Sequence, residues 1–186
     1  MFCIKTKNII VNALKRKTAQ FNVEPEFKTN CVTIHYNDGY HLDFAIYRRT
    51  KNIFNEFEYE HCGSNWTKRN PRDITNWLNN ENKNKEYKLK KVIRLLKMFC
   101  KSRDNWKMPG GLIQSVLVNE CDVDYSETRL DKIFYDVITS IRNRLIYNLE
   151  IYNPVEANIS LLQKESDRDK VENLKNRLNI YIDKLD

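Results

Sequence analysis

The chain has 186 residues, enough for one sizeable core or for two small lobes that share an interface. Its 41% hydrophobic and 11% aromatic content, with only 4 Gly and 4 Pro, excludes disordered, low-complexity and collagen-like classes. A net charge of +7 favours polyanionic ligands such as nucleic acid, anionic lipid or nucleoside triphosphates, and equally suits a basic soluble protein that binds none of them.

Residues 7–20 read as a short amphipathic helix with Ile10, Val11 and Leu14 on its apolar side and Lys15, Arg16 and Lys17 near its end. A β-hairpin follows. In "CVTIHY", Val32, Ile34 and Tyr36 alternate with Thr33 and His35, and "NDG" at 37–39 supplies the turn. The returning stretch, "GYHLDFAIY", reads as a buried strand with Tyr40, Leu42, Phe44 and Ile46 on one face; His41, Asp43, Ala45 and Tyr47 share the other. Residues 53–61 fit a further strand or extended edge, "GSNWTKRNPRD" a loop, and 71–80 a helix opened by Pro71.

From Tyr87 the period changes to three and four residues, with Leu89, Val92, Ile93, Leu96, Phe99 and Cys100 forming the apolar face of a helix of about four turns. Lys90, Arg94, Lys97 and Lys101 make a basic stripe beside it. Pro109-Gly110-Gly111 turns into a short apolar helix, and 127–149 carry a long helical seam for which Asp124 and Glu127 match an N-cap and capping box. "NPVEANISLL" and a final helix with Val171, Leu174, Leu178, Tyr181 and Leu185 are read as closing a helical remainder. The predicted division falls at 83/84, a strand-containing front before it and a helical lobe after it.

Five scattered cysteines without a C-x-x-C pair suit reduced thiols, and no zinc-ligand spacing is present. No apolar run approaches the roughly 20 residues of a membrane span, and the first residues lack a signal-peptide core. The expected location is cytoplasmic, without a membrane partner.

The order of these motifs resembles the bacterial CD-NTases, cyclic-oligonucleotide synthases of the polymerase-β-like nucleotidyltransferases and relatives of cyclic GMP-AMP synthase. "VTIHYNDGYHLDFAIY" looks like the family's strand with its third acidic residue, and "WTKRNPRDITNWL" like the segment after it. "KLKKVIRLLKMFCKSRDNWKMPGGLIQSVLV" and "RLDKIFYDVITSIRNRL" followed by "NP" resemble the helical lobe. The resemblance implies an α+β fold, in which a nucleotidyltransferase sheet remnant packs on a C-terminal helical bundle. It also implies that Asp43 is the catalytic carboxylate that binds one of two Mg2+ ions and assists deprotonation of the attacking hydroxyl. Lys97, with Arg94 one turn earlier, would hold nucleotide phosphates, and the amides at Gly110 and Gly111 could accept a phosphate oxygen. By position alone, Asp43 also reads as an ordinary carboxylate on a solvated hairpin face, and Pro109-Gly110-Gly111 as a simple helix-initiating turn.

The family's Gly-Ser turn and aspartate pair would precede Asp43, yet the residues before it contain no aspartate pair. Gly63-Ser64 lies downstream, Asp73 is followed by Ile74-Thr75, and Asp122 and Asp124 lack a preceding Gly-Ser turn. The chain therefore reads as the latter portion of a CD-NTase, inactive alone, with nucleoside triphosphates as ligands and a complementing subunit as partner. The other readings are a basic nucleotide- or nucleic-acid-binding module and a regulatory protomer that pairs through its hairpin edge.

Overall fold

A computed structural model describes residues 3–184. They form a mixed α and β architecture in two compact units, Met1–Arg72 and Asp73–Asp186, so the helix after Pro71 belongs with the helical unit, ahead of the predicted 83/84 division.

In the first unit, α1 (Cys3–Thr18) packs mainly on β1 (Pro25–Phe27) and β2 (Val32–His35) of a three-stranded antiparallel sheet ordered β1-β2-β3, with β3 at His41–Phe44. Gly39, at φ 86°, takes the left-handed position that closes the β2–β3 turn. The hairpin forms as the sequence predicts, with Thr33 opposite Asp43 and Ile34 opposite Leu42.

The expected long buried strand does not form. The chain breaks at Ala45 and enters a second antiparallel sheet of β4 (Tyr47–Lys51), β5 (Phe57–Cys62) and β6 (Trp66–Lys68). Ile46 already belongs to that sheet, because its carbonyl accepts the Cys62 amide at 2.8 Å and its side chain joins Cys3, Val11, Val32 and Cys62 in the core. Tyr40, Leu42 and Phe44, expected beside it, remain 74%, 51% and 39% exposed. Alternation marked which residues share a face; it did not provide a cover for that face.

The second unit follows its 3.6-residue period closely. α2 (Asp73–Asn84), α3 (Leu89–Cys100), α4 (Gly111–Glu120), α5 (Leu130–Tyr147) and α6 (Glu165–Ile182) enclose one apolar core. Every residue from Ile113 to Val118 is buried, so the middle of α4 runs through the core of the unit. Leu185, expected to end the α6 seam, lies outside the described residues. "NPVEANISLL" is not helical: it forms a hairpin of β7 (Tyr152–Asn153) and β8 (Glu156–Ser160), nucleated where Asn153 Oδ1 accepts the Val155 amide at 3.1 Å.

The long seam begins at Leu130 instead of 127, and Asp124 does not cap it; its carboxylate accepts the Ser126 amide in a local turn. Glu127 accepts the Arg129 amide and pairs with Lys132, and these contacts lower its carboxyl pKa from 4.5 to about 2. A depressed carboxyl stabilises the fold above its ordinary pKa and loses that contribution as pH falls through the folded value. Glu127→Gln is therefore expected to lower Tm measurably at neutral pH, and the difference from the parent should vanish towards about pH 2 in thermal melts. A constant offset across that range would contradict it.

Candidate functional site

Asp43 stands in the middle of β3, its side chain about half exposed. The hairpin register brings Thr33 directly across, and the Thr33 hydroxyl donates to Asp43 Oδ1 at 2.6 Å. That bond, opposed by desolvation and aided by the charge of His41, holds the Asp43 carboxyl below its usual range. Oδ2 has His41 Nε2 at 3.8 Å. Asp43 is thus an oriented, ionised carboxylate with one oxygen committed to the protein. Thr33, the positioning residue, was not singled out from the sequence; the turn at 37–39 was the signal that could have found it, since it sets residue 33 against 43.

A magnesium ion takes about six oxygen ligands in near-octahedral geometry. Among the described residues no group of three or more His, Cys, Asp or Glu side chains could hold a metal ion. One carboxylate does not fit a two-metal centre by itself.

In the helical unit, α3 carries its basic residues without a single acid among them. Lys90, predicted on the open stripe, instead donates to Asn79 Oδ1 at 2.6 Å. Neighbouring Lys88 is structural, donating to the Tyr125, Ser126 and Glu127 carbonyls. Arg94 is exposed and Lys97 half-buried, and among the described residues neither has an ion pair or a side-chain hydrogen bond.

The structure brings Lys97 to the start of α4. A Cβ built on Gly111 would meet Lys97 Cε at 3.3 Å and Nζ at 3.4 Å, so the lysine tail lies across the glycine. Gly110, the N-cap, has open space around it and no side-chain cap. Gln114 donates to the Pro109 carbonyl at 2.7 Å and fixes the turn from within. An ammonium group and the positive end of α4 therefore converge on one exposed spot, an arrangement that attracts a phosphate.

The other motifs are structural. Gly63 gives its carbonyl to the buried Lys7 ammonium at 2.9 Å and its amide to Asn65, which folds Gly63-Ser64 into a tight turn. Burial pushes the thiols of Cys62, Cys100 and Cys121 up to about 11, 12 and 11, so none is a nucleophile at neutral pH. Among the described residues no helix is long and apolar enough to cross a membrane.

No known family profile matches this sequence. Solved structures do match in fold. The Vibrio cholerae di-nucleotide cyclase (DncV) in complex with GTP and 5MTHFGLU2 superposes with a TM-score of 0.70 at 15% identity, over 90% of this chain and 49% of that one. DncV cyclic AMP-GMP synthase from Vibrio cholerae, in complex with the linear intermediate 5' pppA(3',5')pG, gives 0.71 at 16%, over 90% and 51%. The Escherichia coli DncV bound to 3'-deoxy GTP gives 0.67 at 16%, over 90% and 48%. The chain has the CD-NTase fold and spans about half the length of the structures it matches.

Proposed function

We propose that this chain is the latter part of a CD-NTase-like nucleotidyltransferase that makes a cyclic oligonucleotide messenger from nucleoside triphosphates in bacterial antiphage (CBASS) defence, acting in the cytoplasm. The observation that carries the reading is a fold likeness running through both units, to proteins whose complexes hold GTP, ATP and a linear dinucleotide intermediate. Lys97, Arg94 and the amides at Gly110 and Gly111 hold the triphosphate. Asp43, oriented by Thr33, contributes one carboxylate to a magnesium site whose other acids come from polypeptide beyond these 186 residues, such as a complementing subunit.

The chain alone, incubated with ATP, GTP and Mg2+, is expected to give no cyclic product by mass spectrometry. Adding polypeptide that bears the Gly-Ser turn and aspartate pair should produce one, and Asp43→Ala should abolish it. Robust product from the isolated chain would overturn the incomplete-site reading.

A second reading draws on the absence of acids from α3 and on Lys91, Arg94, Lys97 and Lys101, whose side chains have no ion pair or hydrogen bond among the described residues and suit the phosphates of nucleic acid. It requires affinity for generic RNA or DNA that falls steeply with salt and is indifferent to Asp43.

A further inference from the structure

We propose that Gln114 is a positioning residue of the phosphate site: its buried carboxamide draws the Pro109 carbonyl inward and so aims the Gly110 amide outward, at the phosphate that Lys97 holds. This role rests on the nucleotide reading and deepens it.

Gln114 stands in the buried run of α4, 5% exposed, between Ile113 and Ser115. Its Nε2 donates to the Pro109 carbonyl at 2.7 Å, back across the first turn. Its Oε1 is buried and, among the described residues, accepts no hydrogen bond. A buried amide oxygen without a donor costs stability. The carboxamide therefore gains the core nothing, and its one structural consequence is the orientation of the turn.

That orientation follows from the planar trans peptide, in which C=O and N–H point in opposite directions. Among the described residues no peptide bond is cis. The Gln114 amide donates to the Gly110 carbonyl at 3.1 Å, which opens the helix and turns the Gly111 amide outward. Helix geometry thus aims Gly111 without help. The peptide plane between Pro109 and Gly110 lies one step outside the helix and lacks that control. It swings on ψ of Pro109 and φ of Gly110, and glycine leaves φ freer than any other residue. A Cβ built on Gly110 would meet nothing within 4 Å, and no side chain caps the helix there. Among the described residues the bond from Gln114 is the one hydrogen bond that the Pro109 carbonyl accepts, and holding that carbonyl fixes the Gly110 amide.

Lys97 completes the geometry. Its Nζ lies 3.4 Å from the Cβ position of Gly111, so an anion bound there meets the ammonium and the Gly111 amide whatever Gln114 does. Gln114 adds a third donor that is already aimed, and such pre-organisation raises affinity by removing the cost of ordering the turn on binding.

Gln114→Met keeps the volume and removes the donor together with the unpaired oxygen. The freed Pro109 carbonyl then turns to water, so Tm should stay within a few degrees of the parent. Affinity for ATP with Mg2+, read by isothermal titration, should fall about 3- to 10-fold, the equivalent of one neutral hydrogen bond. Gln114→Leu, which removes the donor in a different shape, should match it. The chain has 4 Gly, at 39, 63, 110 and 111, so selective 15N-glycine labelling resolves the amide in question. In Gln114→Met without ATP, the Gly110 signal should shift or broaden while those of Gly39 and Gly63 stay in place, a change that general loss of packing would not confine to the turn. Parent affinity in both Gln114 variants, with Lys97→Ala weakened, would overturn the role of Gln114 and leave the phosphate site standing. Parent affinity in all three would overturn both. A large fall in Tm in both Gln114 variants would make the residue a purely structural one, and an unmoved Gly110 signal would mean that its amide is aimed without Gln114; either result overturns the proposal.

Discussion

Replacing Lys97 by alanine should weaken ATP binding by about 10- to 100-fold, the equivalent of losing one charge-assisted hydrogen bond to phosphate. Lys97 is the strongest lever in the helical unit because its ammonium sits against Gly111, where the first-turn amides of α4 already attract negative charge. Among the described residues Lys97 has no ion pair or side-chain hydrogen bond to compete with a phosphate. The same fact predicts that Tm is almost unchanged by the substitution, so weaker binding could not be blamed on unfolding. Gly111→Ala should give a smaller loss, because the new Cβ would lie 3.3 Å from a flexible lysine tail that can move aside. Isothermal titration with ATP and Mg2+ reads both effects. Equal affinities for parent and Lys97→Ala would remove the phosphate site from α4.

The second large effect is on stability. Lys7→Met should destabilise the first unit by about 2–4 kcal/mol, at the upper end for a single substitution. Lys7 is 3% exposed, and its ammonium donates to three backbone carbonyls: Lys28 at 3.2 Å, Thr29 at 2.5 Å and Gly63 at 2.9 Å. It therefore ties α1 to the β1–β2 loop and to the turn after β5. Methionine fills similar space but leaves those carbonyls without their donor, and each unsatisfied buried acceptor costs about 1–3 kcal/mol. A cavity of about 510 Å³ beside Lys7, reaching Phe27 and Ser64, offers water a way to some of them and limits the total. Urea unfolding followed by circular dichroism gives the number. A shift within error of zero would mean that the three bonds hold nothing together.

Lys7 also shows where sequence pattern stops. In the helical reading it sits at the start of an amphipathic segment and looks like any solvated lysine. It is buried only because two loops from further along the chain fold back over it, and no local periodicity encodes that. Lys90 shows the converse, since its place in the basic stripe was legible but its commitment to Asn79 was not. Glu127 lies between the two. Its place near the start of α5 was visible in the spacing, whereas the helix began five residues later than a capping box on Asp124 implied.

From the sequence alone came the helices of the second unit, whose apolar spacing directly records a one-sided core, and the hairpin, whose turn residues set Thr33 against Asp43. The lack of an aspartate pair before Asp43 was equally plain. Only the tertiary structure decided that the chain leaves its first sheet at Ala45, that the apolar row of β3 is left uncovered, and that Lys97 rests on Gly111. The reason is physical: side-chain period reports which residues share a face, a property of neighbouring positions. Whether a face is covered depends on segments distant in the chain and on the shape in which they pack.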